Sequence, residues 1–135
     1  MDLQGCADVQ ADVRALPFAS DTADEILALD LLEHFWRDEV DGLIQEWLRV
    51  LKSGGLVTFR VPNLSVLGKM LTDDVDTARI IENVYGGHRY GPGGAWDQHH
   101  WGWTRPGFER WLTWHGLWRI DIDNDPNMTA KATLR

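Results

Sequence analysis

Two hydrophobic periods take turns along this chain. Residues 7–13 alternate apolar and polar side chains, which predicts a short strand. Leu16-Pro17-Phe18 then leaves regular structure, because a proline disfavours helix in the residue before it. Ser20-Asp21-Thr22 marks a turn. Residues 25–29 are apolar after Glu25 and read as a buried strand. Residues 38–51 change to the helical period, with Val40, Leu43, Ile44, Trp47, Leu48 and Leu51 on one face. Lys52-Ser53-Gly54-Gly55 is expected to end that helix on a glycine cap. Residues 56–61 are β-branched and aromatic enough for a buried strand, which Pro62-Asn63 stops.

Further on, residues 64–71 and 75–85 read as two helices, with Asp73 or Asp74 capping the second. Residues 86–94 hold five glycines and a proline and predict a loop. Thr104 is the expected N-cap of a helix with Pro106 in its first turn, running to His115 and ended by Gly116. Residues 118–122 and 129–134 read as strands joined through the turn Asn124-Asp125-Pro126-Asn127. Strand–helix alternation with short connections predicts a single α/β domain over residues 1–135, its sheet ending in an antiparallel hairpin.

Composition narrows the partners. A net charge of −8 disfavours a general nucleic-acid surface or an anionic lipid surface. No apolar run is long enough to span a bilayer. The first residues lack the basic and apolar parts of a signal peptide, and the single cysteine, Cys6, rules out an internal disulfide framework. A cytoplasmic protein is expected. Eight tryptophans are unusual at this length, and five of them (Trp96, Trp101, Trp103, Trp111 and Trp114) fall within nineteen residues. Packing accounts for Trp111 and Trp114, and a carbohydrate-binding surface is the competing use of the cluster. His88, Asp97, His99 and His100 fit no compact metal-binding spacing, so no metal is expected from them.

Three blocks carry the chemistry. The first is Asp12-Val13-Arg14-Ala15-Leu16-Pro17-Phe18. The second runs from Ala23-Asp24-Glu25 through Leu29-Asp30-Leu31-Leu32-Glu33-His34-Phe35. The third runs from Glu46-Trp47-Leu48 through Leu51-Lys52-Ser53-Gly54-Gly55 to Pro62-Asn63. In order and spacing they resemble the second half of a class I S-adenosylmethionine (SAM) dependent methyltransferase of the type 11 group. Tyr85-Gly86-Gly87 followed by His99-His100-Trp101-Gly102-Trp103-Thr104 resembles the C-terminal pattern of the same group, with Trp103 in place of a phenylalanine.

The resemblance implies an α/β fold: an incomplete Rossmann-like sheet, mostly parallel, with a C-terminal antiparallel hairpin. It implies SAM as cofactor and methyl transfer to an oxygen or nitrogen of a small molecule, such as a sugar or a cell-surface precursor. By the same resemblance Asp12 accepts from the adenine amine and Val13 meets the ring edge, although Asp12 as a turn cap remains open. Asp2 would hold the ribose with Leu3 against adenine, and Asp30 and Leu31 would line the methionine side. His34 and His99 are the candidate catalytic residues. His34 suits a general base because its ordinary pKa is near neutral, or else it orients the following helix.

Only eleven residues precede Asp12, so the family's first strand and glycine-rich turn are expected to be missing. That turn holds the methionine moiety through a backbone approach only glycine allows. Its loss leaves a sheet edge unpaired. A homodimer or a partner subunit completing the sheet is therefore expected. The alternatives are a catalytically inactive partner subunit, or a carbohydrate-binding module built on the tryptophan-rich end.

Overall fold

The computed structural model describes residues 9–72, 77–87, 89 and 92–135. Strand β1 (Ala23–Leu29) leads through a short 3-10 turn (Leu32–His34) to helix α1 (Arg37–Val50) and strand β2 (Leu51–Pro62). Helices α2 (Leu64–Thr72) and α3 (Thr77–Tyr85) follow, then a second 3-10 segment (Pro92–Asp97). Helix α4 (Arg105–Trp114) and strands β3 (Leu117–Ile122) and β4 (Asn127–Leu134) complete the order. The strands form one sheet in the order β1-β2-β4-β3. β1 and β2 are parallel, while β4 is antiparallel to both β2 and β3. The crossover from β1 to β2 is α1, as a parallel connection requires.

Alternation along the strands decides where the core lies. Val57, Phe59 and Val61 of β2 and Met128, Ala130 and Ala132 of β4 are buried on one face. Against that face pack Val40, Leu43, Ile44 and Trp47 of α1 and Phe108, Trp111 and Leu112 of α4. Phe59 joins the two helices, with ring centroids 6.2 Å from Trp47 and 6.1 Å from Phe108. The Trp111 indole donates 2.7 Å to Asp41, tying α4 to α1. On the opposite face Leu27, Leu29 and Leu56 are exposed, at 62%, 45% and 52%.

Several expectations change. Within the expected strand 7–13, the described residues from Val9 to Val13 are irregular and form no strand. Alternation alone did not secure a strand there, and Asp12 instead draws Arg14 into a local turn. The strand at 25–29 forms, but only Ala28 is buried, because no layer among the described residues covers the outer face. Gly54 does not cap α1. The helix ends at Val50, Leu51 is already extended, and Gly54 sits at φ 79° inside β2 as a kink. Trp111 is packed as expected, whereas Trp114 is 72% exposed. Asp73, Asp74 and His88 lie outside the described residues. The C-terminal hairpin, the Thr104 cap on the Gly107 amide and the positive φ of Gly116 agree with the sequence reading.

Candidate functional site

The carboxyl end of β1 organises the site. Asp30 closes the strand in the left-handed region, at φ 53°, which an aspartate tolerates better than most residues. Its carboxylate is held by the Arg60 guanidinium from β2, with Nε at 2.8 Å and a second, short contact from Nη2. That pairing raises the pKa of Arg60. The reversal at Asp30 sends Leu31 through His34 across the strand ends. Leu31 is half-buried, and its carbonyl accepts from the His34 amide at 3.2 Å.

Glu33 and His34 are then locked by a loop from far along the chain. The amides of His100 and Trp101 both donate to the Glu33 carbonyl, at 2.7 and 3.2 Å. His34 Nδ1 lies 3.1 Å from the Gln98 carbonyl, and His99 Nδ1 lies 3.0 Å from the Asn83 carbonyl at the end of α3. A carbonyl only accepts, so each ring donates from Nδ1. The two rings meet edge to face with centroids 4.9 Å apart. Burial, and then the neighbouring His34, hold the His99 pKa below its ordinary value. His99 is accordingly neutral at pH 7.

Glu33 is 1% exposed, and its Oε2 has no hydrogen-bond partner among the described residues. Burial pushes its carboxyl up to about 8. A cleft of about 510 Å³ opens beside these groups, bounded by Asp30, Glu33, His34, Pro62, Asp97 and His99. Arg79 and Arg89 bring positive charge to its wall, and Arg89 is also paired with Glu82 at 2.8 Å.

The other sequence-derived candidates lie elsewhere. Asp12 is exposed, with both carboxylate oxygens engaged by the Arg14 side chain and amide at 2.9–3.3 Å. Those bonds lower its pKa. The Val13 carbonyl accepts from the Trp47 indole at 2.8 Å. Asp12, Val13 and Leu31 do not line the cleft, and Asp2 and Leu3 lie outside the described residues. The structure thus joins His34, His99 and Asp30. It adds two groups that the sequence reading left without a role there, Arg60 and the buried carboxyl of Glu33. A charged residue inside the apolar run 56–61 was the available signal for Arg60.

Residues 2–59 match the family model described as a methyltransferase domain. No curated protein matches the sequence. Among solved structures, the chain is similar to a SAM-dependent methyltransferase, possible histamine N-methyltransferase, from Thermotoga maritima. The TM-score is 0.65 at 10% identity, over 94% of this chain and 63% of that one. A SAM-dependent methyltransferase from Archaeoglobus fulgidus gives 0.63 at 10% identity, over 93% and 66%. Human N-acetylserotonin methyltransferase in complex with SAM gives 0.59 at 12% identity, over 93% and 33%. The chain therefore spans less than two thirds of the length of each of these proteins. The chain thus has the fold of these methyltransferases, and its residues 2–59 carry the match to a methyltransferase domain.

Proposed function

We propose that this domain methylates an oxygen or nitrogen of a small, hydrogen-bonding acceptor, such as a sugar or a cell-surface precursor. The observation that carries the reading is the His34–His99 pair, each ring held through Nδ1 at the carboxyl end of β1. Ligands of open α/β sheets bind at such strand ends. The charge pattern there suits the amino-acid end of SAM. Asp30 and Asp97 offer carboxylates to an ammonium, and Arg79 and Arg89 offer cations to a carboxylate. Asp30 and Leu31 would line the methionine side, and Asp12 and Val13 the adenine side. Asp12 can serve only by giving up a contact to Arg14.

SAM supplies a methyl group already activated on its sulfonium, so the protein's tasks are alignment and proton handling. Neutral His99 or its neighbour His34 accepts the acceptor's proton on Nε2. The carbonyls of Gln98 and Asn83 fix the two rings, and the Asn83 carbonyl favours the protonated form of His99. The loop carrying His99 lines one side of the cleft. The same reading places a second copy or a partner subunit against the open edge of β1.

Two measurements test this. Calorimetric titration with SAM and S-adenosylhomocysteine should show binding that survives His99→Gln. Methyl transfer to a panel of hydroxyl and amine acceptors should fall about 10²–10⁴-fold in the same variant. A folded chain that binds neither nucleoside at millimolar concentration would sink the stand-alone enzyme. An inactive partner subunit would then be the better account.

A further inference from the structure

We propose that Glu33, His34 and His99 form a binding site for one divalent transition-metal ion of the Zn²⁺ class. One ligand atom from each side chain lies within 4.8 Å of those of the other two. Ligands of a tetrahedral ion with bonds of 2.0–2.1 Å stand about 3.4 Å apart. Closure around an ion therefore asks for shifts of about 1 Å.

Three independent features fit an ion better than a simple packing role. The first is the outer shell. Metal-binding histidines typically donate the other ring N–H to a carbonyl or carboxylate, which fixes tautomer and orientation. Both rings here do so, His34 to Gln98 and His99 to Asn83. The second is Glu33 Oε2, buried without a partner among the described residues. A buried carboxyl oxygen without a partner is costly, and a cation that displaces the carboxyl proton is one of the few groups that satisfies it. The third is rigidity. Backbone bonds from His100 and Trp101 to the Glu33 carbonyl, and from the His99 amide to the Tyr85 carbonyl at 3.0 Å, hold the ligand-bearing segments together.

Two imidazoles and one carboxylate select the ion. Imidazole favours Zn²⁺, Fe²⁺, Co²⁺ or Cu²⁺, whereas Mg²⁺ and Ca²⁺ take oxygen ligands. Three protein ligands leave positions open, and the neighbouring cleft gives an oxygen or nitrogen ligand access to them. The set escapes a sequence search because Glu33 and His34 lie more than sixty residues from His99. An ion and a proton compete for the imidazole lone pairs, so metal binding and base catalysis are alternative uses of the pair. The site does not depend on methyl transfer and is tested without SAM.

The metal-free chain is titrated by calorimetry with Zn²⁺ alone, Co²⁺ alone and Mg²⁺ alone, and the Co²⁺ sample is followed by visible absorption. One equivalent of Zn²⁺ or Co²⁺ should bind per chain, with d–d bands from Co²⁺ and no saturable heat from Mg²⁺. His34→Ala and His99→Ala should each weaken binding at least about 10-fold. Glu33→Gln keeps the side-chain volume and should weaken it too. His100→Ala, whose ring stacks on Trp36 with centroids 4.1 Å apart, should leave it unchanged. Circular dichroism confirms that each variant is folded. No saturable binding, or binding of equal strength in folded Glu33→Gln and His99→Ala, would overturn the site whatever the outcome with SAM.

Discussion

Trp111 shows how much one side chain can carry. It is 7% exposed, stacks near Phe108 at 5.7 Å and donates its indole N–H to Asp41. Asp41 also meets His115 Nε2 at 3.2 Å and Arg37 at 3.1 Å. Trp111→Phe keeps much of the ring but removes a bond to a charged acceptor, and should cost about 2 kcal/mol in urea unfolding. Glu46 makes a different prediction, set by pH. Arg49 and the Leu16 amide hold its carboxyl down to about 2. A lowered folded pKa contributes stability above the ordinary value of 4.5, and that contribution is lost as pH falls from 4.5 to about 2. Glu46→Gln should therefore melt below the parent at pH 7, with the gap closing through that window in calorimetric scans. Packing was expected for Trp111 and Trp114 alike, and only Trp111 is buried. The burial of Glu33 was not legible, since the amides that enclose it come from His100 and Trp101, and no local pattern reports a contact across that separation.

Elements were read best where period and punctuation agreed. α1 appears within a residue of its expected start and end, and α4 has the Thr104 cap and Gly116 stop its sequence announces. Residues 51–55 were misread because a glycine after a helix usually marks a cap, while here parallel pairing with β1 takes Leu51 straight into a strand. The loop that carries His99 depends on another glycine. Gly86 ends α3 at φ 87°, and a Cβ there would stand 1.7 Å from the Asp97 carbonyl oxygen. Gly86→Ala meets both a disfavoured backbone and a backbone clash, so the loop must move. We expect a loss of more than about 1 kcal/mol in thermal unfolding. We also expect altered imidazole NMR signals for both His34 and His99, since Gly86 directly precedes the loop that pins them. Unchanged imidazole signals would show that the histidine pair is held independently of this turn.

At the scale of the whole molecule, the sheet is covered on one face only among the described residues. α1 and α4 shield the face of Phe59, while Leu27, Leu29 and Leu56 are exposed on the other, and β1 is the edge strand among the described residues. An open apolar face beside a free strand edge invites association. The acidic balance of the chain limits this to a specific contact, because like charges keep unspecific contacts apart. Sedimentation of the chain over a range of concentrations should show reversible association. Burying one leucine is worth about 1.5–3 kcal/mol, so Leu27→Glu should weaken that association by at least about 10-fold. Leu27 points away from the core, and the same substitution should leave the melting temperature of the dilute chain within a few degrees of the parent. A parent that stays monomeric at every concentration would remove self-association as the way this face is covered. Association that Leu27→Glu does not weaken would move the contact to another surface.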